Sequence, residues 1–259
     1  MNEFETLFSL QGKRALISGG TGGLGSAIAK AFLRQGVQVA VCTGHLDKAQ
    51  PLFKLAQSLN QKAFAFECDL TQPEQINRLL DQVERQMGSI DILVNSAGIN
   101  RLLPAEDYSD EDFSQVLDLN LKGLHTLTRE TGRRFMIPSR YGRILNLSSV
   151  KSIIGTSKDY LAYCASKGAV NMYTRQLACE WGKYQITCNA IAPTFVRTPI
   201  NAFQLDDPDF YQSLTRRIPL GRIGTECDIA AAALFLCSDA AAFISGQILC
   251  VDGGLTAMQ

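Results

Sequence analysis

Seven short runs of apolar residues alternate with longer amphipathic stretches along nearly the whole chain. The runs are "RALISGG" (14–20), "VQVAVCT" (37–43), "KAFAFECD" (62–69), "IDILVNSAG" (90–98), "GRILNLSS" (142–149), "ITCNAIAP" (186–193) and "QILCVDGG" (247–254). Each is apolar throughout rather than at every second position, the pattern of strands covered on both faces. Between them, helical spacing predicts helices over 24–35, 47–60, 73–87, 111–137, 160–182 and 226–238. Two helix starts carry local signals: Thr71-Gln72-Pro73-Glu74 and Ser109-Asp110-Glu111-Asp112 both read as capping boxes. Regular alternation of strand and helix predicts an α/β fold, a doubly wound (Rossmann-type) parallel sheet of about seven strands with helices on both faces. No linker, repeat or break in composition divides residues 1–259, so one domain is expected. The long stretch over 193–224 shows no periodicity, and 194–224 is the expected substrate loop.

Composition narrows the function classes. The chain has 259 residues, 46% hydrophobic and 19% charged, the balance of a globular enzyme. Its 25 basic and 25 acidic residues cancel, so no basic field points to nucleic acid. Eight scattered cysteines without a Cys-x-x-Cys pair, and only two histidines, suit neither a metal site nor a disulfide framework. The N-terminal stretch "MNEFETLFSLQGK" lacks the apolar core of a signal peptide, and the longest apolar run, 229–237, is too short to span a bilayer. A reduced, cytoplasmic protein with no membrane partner is expected.

The stretch "SGGTGGLG" (18–25) puts five glycines after the first predicted strand. So dense a cluster weakens any regular element and needs a backbone reason, either a flexible turn or a close approach to a ligand. At the first strand-to-helix turn of a doubly wound fold the second reading gains weight, because dinucleotide phosphates bind there. Gly19, Gly23 and Gly25 follow G-x-x-x-G-x-G, and bare amides at the start of the next helix can point at a pyrophosphate. Further along, Tyr163 and Lys167 lie four apart on a predicted helix and share one face. A solvent-facing pair is the plain reading of that spacing alone. Yet the preceding strand ends in Ser148-Ser149, at the sheet edge where such folds place ligands. Reducing a carbonyl requires a proton donor at the developing alkoxide, and a lysine ammonium nearby lowers a tyrosine from its ordinary value of about 10.

In order along the chain, "NSAG" (95–98), "LNLKG" (119–123), "LNLSS" (145–149), "YCASK" (163–167), "CNAIAP" (188–193) and "VDGG" (251–254) resemble the short-chain dehydrogenase/reductase family over essentially its whole length. The resemblance implies an NAD(P)-dependent oxidoreductase with Tyr163 as acid/base and Lys167 as its electrostatic partner and ribose anchor. It gives Ser149, with Ser148 as the rival, as donor to the substrate oxygen, and Asn120 as a buried water-bridging group in a proton relay. It places Gly19, Thr21, Gly23, Leu24, Gly25, Thr43, Gly44, His45, Asp69, Leu70, Asn95, Ala97, Gly98, Pro193, Val196 and Thr198 around the cofactor. Asp69 and Leu70 would flank the adenine, and Thr198 the nicotinamide amide or phosphates. The chain departs from the family at Ser96 and Thr194, and its Ser149-to-Tyr163 segment is one residue longer than usual. With Thr43 where an aspartate would exclude a 2′-phosphate, the balance favours NADP, although no arginine stands at Gly44 and no basic residue at Gly22.

Within the family, "GINR" (98–101), "YCASKGAV" (163–170) and the stretch 197–224 look most like gluconate 5-dehydrogenase and related sugar-acid or polyol enzymes. A 3-oxoacyl-carrier-protein reductase is the alternative. A non-catalytic dinucleotide-binding scaffold fits poorly, since Asn120, Ser149, Tyr163 and Lys167 are all present. Arg101, Lys151 and Arg197 are candidates to meet a substrate carboxylate, against the plain reading of solvated loop cations. The family also implies a homotetramer packed through the helices predicted over 111–137 and 160–182, with Phe135 and Met172 as outward apolar positions. No metal is expected.

Overall fold

A computed structural model describes residues 3–198 and 201–258. Pro199 and Ile200, in the expected substrate loop, lie outside the described residues. All seven apolar runs are strands: β1 (Arg14–Ser18), β2 (Gln38–Thr43), β3 (Ala63–Glu67), β4 (Ile92–Asn95), β5 (Gly142–Leu147), β6 (Ile186–Pro193) and β7 (Ile248–Val251). They form one parallel sheet in the order β3-β2-β1-β4-β5-β6-β7. Alternate residues of β1 explain the unbroken apolar runs. Ala15 and Ile17 enter one buried cluster and Leu16 enters the cluster on the opposite face, all three fully buried.

The helices are α1 (Glu3–Leu7), α2 (Gly23–Arg34), α3 (Gln50–Ser58), α4 (Pro73–Met87), α5 (Asp110–Leu117), α6 (Leu124–Thr131), α7 (Ile137–Ser139), α8 (Leu161–Trp181), α9 (Ala202–Leu205), α10 (Pro208–Thr215) and α11 (Glu226–Cys237). Residues of α2, α3 and α11 share the cluster on one face with Ile17 and Leu145, and residues of α4, α6 and α8 share the other with Leu16 and Ile144. Strand order reverses between β1 and β4, so a crevice opens where the carboxyl ends of these strands diverge.

Several expected elements differ in detail. The single helix expected over 111–137 is broken by two wider π-helical segments, Asp118–Gly123 and Gly132–Met136. Ser109 caps α5 as expected, accepting from Asp112 N (3.0 Å) and donating to Asp112 Oδ2 (2.7 Å). Thr71 forms no capping box. Its hydroxyl donates to Asp69 Oδ1 (2.8 Å), and α4 starts after Gln72 without a side-chain cap. A full capping box stands instead at Thr225 and Asp228, at the start of α11. The stretch expected to be irregular contains α9 and α10, and its Leu205, Leu214, Ile218 and Ile223 form a small core of their own. Phe135 faces the core and is buried, while Met172 on α8 is exposed. All eight cysteines are free. Among the described residues no helix is long and apolar enough to cross a membrane, and no cluster of His, Cys, Asp or Glu could hold a metal.

Candidate active site

The glycine turn is built for contact. Gly19 has φ +64°, and a Cβ there would lie 2.9 Å from Ala97 Cα. A Cβ on Gly25 would lie 2.4 Å from the Gly19 carbonyl oxygen, so the first turn of α2 can press against the loop only with glycine at that position. Ser18 Oγ accepts from both Ser96 N (3.1 Å) and Ala97 N (3.2 Å), locking the ends of β1 and β4 together. Gly22, the residue before α2, offers no side-chain cap, which leaves the helix N-terminus open to a ligand's phosphates. Gly23, with φ +40°, faces Thr198 across the crevice. The chain's own groups therefore fit a dinucleotide, and Thr21, Leu24, Ala97 and Gly98 lie on the same turn or on the loop facing it.

Other expected contacts have different partners. The Thr43 hydroxyl is buried, 2.7 Å from Thr21 Oγ1, and accepts from His45 N (3.0 Å). It braces the turn, and Gly44 and the exposed His45 form the rim. Asn95 is likewise a brace. Its amide donates inward to Thr128 Oγ1 (2.9 Å) and Asn146 Oδ1 (2.8 Å), tying β4 to α6 and β5. Asp69 is exposed and accepts from Thr71 N at 2.9 Å, while Leu70 is buried beneath Gly123. Pro193 ends β6, Val196 bridges to Gly224, and the Thr198 backbone donates to Asn201 Oδ1 (2.8 Å).

The structure brings Asn120, Ser149, Tyr163 and Lys167 together at the carboxyl ends of β4 and β5. Ser148 and Ser149 divide cleanly. Ser148 Oγ donates to Asn171 Oδ1 (2.6 Å) inside the protein, while Ser149 lines a cavity together with Tyr163. Behind them Lys167 Nζ donates to the Leu147 carbonyl (2.6 Å) and lies 5.6 Å from the Tyr163 ring centroid. Asn120 sits in the first π segment. Its Oδ1 accepts from Ile99 N (2.8 Å), and its Nδ2 donates to Ile99 O (2.9 Å) and Ser166 Oγ (3.0 Å). The side chain expected to bridge water also holds the Gly98–Ile99 loop. Gly98 must be small there, since a Cβ would stand 3.1 Å from Asn120 Oδ1.

Burial dominates the electrostatics. It lowers Lys167 to about 8. It also raises Tyr163 above its ordinary value, opposed in part by the polar Ser149 side chain nearby. Burial is thus the larger influence on the phenol, while the Lys167 ammonium donates to the Leu147 carbonyl behind it.

The cavity measures about 430 Å³ and runs from Gly98, Ser149 and Tyr163 to Thr194, Val196 and Thr198. Lys151 lines it. Arg101 and Arg197 do not. Arg101 pairs with Asp112 and donates to Gln115 Oε1 (2.9 Å), and Arg197 pairs with Asp206 (2.8 Å). The sequence hides these partners because each acid is nine or more residues away, Asp112 on α5 and Asp206 in the turn between α9 and α10, and only the fold brings them round to the arginines. Among the lining residues outside the expected set are Tyr160, whose ring meets Tyr163 edge-on at 6.2 Å, and Arg217, just past α10. Arg217 carried a faint signal, a cation in the loop stretch "LTRRIPLG" with no acid beside it.

Residues 19–256 match a family described as enoyl-(acyl carrier protein) reductase. The NAD-dependent glycerol dehydrogenase of Listeria innocua is 36% identical over 98% of this chain and 97% of its own. The gluconate 5-dehydrogenase of Gluconobacter oxydans is 37% identical over 96% and 97% respectively. The crystal structure of a gluconate 5-dehydrogenase from Burkholderia cenocepacia in complex with NADP and tartrate superposes with a TM-score of 0.91. That protein is 34% identical, and the match covers 98% of this chain and 99% of that one.

Proposed function

This chain belongs to the short-chain dehydrogenase/reductase family and is an NAD(P)-dependent oxidoreductase acting on alcohol groups, and from that premise we propose that its substrate is a sugar acid or polyol. A bound nicotinamide cofactor supplies or accepts the hydride. Tyr163 holds the proton exchanged with the substrate oxygen, and Ser149 donates a hydrogen bond that keeps this oxygen beside it. Lys167 places a positive charge behind the phenol, where it stabilises the phenolate left when the proton moves. Asn120 positions the loop that carries Gly98. The observation that carries the reading is that Ser149 and Tyr163 line one cavity, with Lys167 buried behind them. A panel of sugar acids, polyols and acyl thioesters, followed at the nicotinamide absorbance with each cofactor, tests it. Turnover confined to acyl thioesters refutes it in favour of the 3-oxoacyl-carrier-protein reductase reading.

NADP is the favoured cofactor. Residues 43–45 present no acid, and the rim at Gly44 and His45 is open. The similar gluconate 5-dehydrogenase crystallised with NADP supports this, whereas the glycerol dehydrogenase relative is NAD-dependent. A homotetramer is proposed from the family likeness and the exposed Met172 on α8, and a monomer mass by light scattering rejects it. Eight free cysteines fit a reducing cytoplasm.

A further inference from the structure

We propose that Lys151 and Arg217 form a receptor for a substrate carboxylate, so that the site selects a hydroxy- or oxo-acid over the neutral polyol of the same skeleton. The inference rests on the carbinol oxidoreductase reading above and names the substrate within it.

Lys151 is fixed close to the chemistry. It lies on the short 3-10 turn Val150–Ser152, and its backbone N–H donates to Ser149 Oγ (3.2 Å). Its ammonium stands 5.3 Å from the Tyr160 ring centroid, at the cavity wall. Arg217 comes from a different element, just past α10, and lines the same cavity beside Leu214 and Ile218. Burial is the main force disfavouring the charge on Lys151, Cys164 opposes it in part, and the Arg217 guanidinium is near enough to disfavour the charge further.

No aspartate or glutamate lines this cavity. The contrast with neighbouring arginines is informative: Arg101 and Arg197 each have an acid, whereas Arg217 has no ion pair among the described residues. Lys151 is half-buried and Arg217 exposed, so with no counter-charge in the cavity the ammonium loses solvation and is repelled by the guanidinium. A carboxylate between them removes both costs. Guanidinium binds it through two parallel hydrogen bonds, and the ammonium supplies a third donor. Val150, Ile154, Leu214 and Ile218 offer no hydrogen-bonding side chain, whereas Asn100, Thr194 and Asn201 can meet hydroxyls. Lys151 and Arg217 are the charged residues of the lining, so the charged end of the substrate is what this pair distinguishes. Because Lys151 is two residues from Ser149, the carboxylate sits within a few bonds of the reacting carbon.

The test compares acid and neutral partners of one carbon skeleton, gluconate with sorbitol and 3-hydroxybutanoate with 1,3-butanediol. Wild type, Arg217→Gln and Lys151→Gln are measured, with Arg101→Gln and Arg197→Gln as controls outside the cavity. Wild type should prefer the acid at least tenfold in kcat/KM. Each cavity variant should raise KM for the acid about ten- to a hundredfold, about 1.4–2.7 kcal/mol, and at least tenfold more than for its neutral partner. The two controls should leave KM unchanged. Calorimetric titration of the same acids onto cofactor-loaded protein reads the receptor independently of turnover. Acid binding that is lost in Arg217→Gln supports the receptor even where no compound turns over, an outcome that would overturn the reaction reading alone. Equal losses on acid and neutral partners, a wild-type preference for the neutral compound, or acid binding unaffected by Arg217→Gln overturns the receptor and leaves the reaction reading standing.

Discussion

Lys167→Met keeps much of the length and apolar body of the side chain and removes its charge. The ammonium is buried, and burial brings it from the ordinary 10.5 down to about 8. A base lowered in this way binds fewer protons folded than unfolded between about pH 8 and 10.5. Stability therefore rises with pH across that window, and the full penalty applies below about pH 8. The gap is worth about 3 kcal/mol at 1.36 kcal/mol per tenfold. For 259 residues, with an unfolding entropy of about 2.1 cal/mol/K per residue, this corresponds to about 6 °C in Tm. The variant also loses the bond to the Leu147 carbonyl, a deficit independent of pH, so the difference at one pH is not diagnostic. Buried thiols complicate the raw curves. Cys188 and Cys237, both pushed up to about 12 by burial, ionise first in the unfolded chain and lower stability above about pH 9. They act equally in both proteins, so subtraction cancels them. Scanning calorimetry from about pH 7 to 10.5 should show the Tm of the variant, relative to wild type, falling by about 6 °C. A difference flat to within about 1 °C across that range would refute burial as the force acting on Lys167.

Tyr163→Phe removes the proton donor alone and should lower kcat by about 10²–10⁴-fold with cofactor affinity little changed; activity within a few-fold of wild type contradicts the assignment. Gly25→Ala drives a Cβ against the Gly19 carbonyl, so α2 and the turn must separate. It should cost about 1–3 kcal/mol in stability and weaken reduced-cofactor binding at least tenfold by fluorescence titration. Asn120→Ala orphans both backbone groups of Ile99, and thermal unfolding should show a loss of about 1–2 kcal/mol together with a lower kcat. Measured as kcat/KM, NADP should be preferred over NAD, and a strong NAD preference would instead assign the Gly44–His45 rim to a ribose hydroxyl.

The sheet was legible because each strand is covered twice. Residues such as Ala15, Leu16 and Ile17 are all buried, and no polar position interrupts the run. Ser109 could be read as a cap because its partner, Asp112, is three residues away. Thr71 had the same local grammar, but the Asp69 carboxylate takes its hydroxyl first, a competition that spacing does not reveal. The Ser149, Tyr163 and Lys167 cluster could be placed from a helix spacing of four and a strand end. Asn95 and Thr43 were harder. Their types suit ligand contact, and only the fold turns Asn95 toward Thr128 and Asn146, and Thr43 toward Thr21. Pairing of Arg101 and Arg197 with acids on other turns, and the freedom of Arg217, likewise depend on which helix faces which.

The π segment at Asp118–Gly123 links two surfaces that a regular helix would leave out of step. On its upstream side Asn120 faces the Ile99 loop, and on its downstream side Thr128, fully buried, receives the amide of Asn95. A π turn takes up one residue more than an α turn, and each residue of an α-helix advances about 100° around the axis. Winding the same residues over 118–123 as a regular α-helix would swing α6 by about that angle. Thr128 and Leu127 would leave the core, and exposed Arg129 would turn toward it. The helix thus behaves as a key cut for two locks, its extra residue setting the rotation between them.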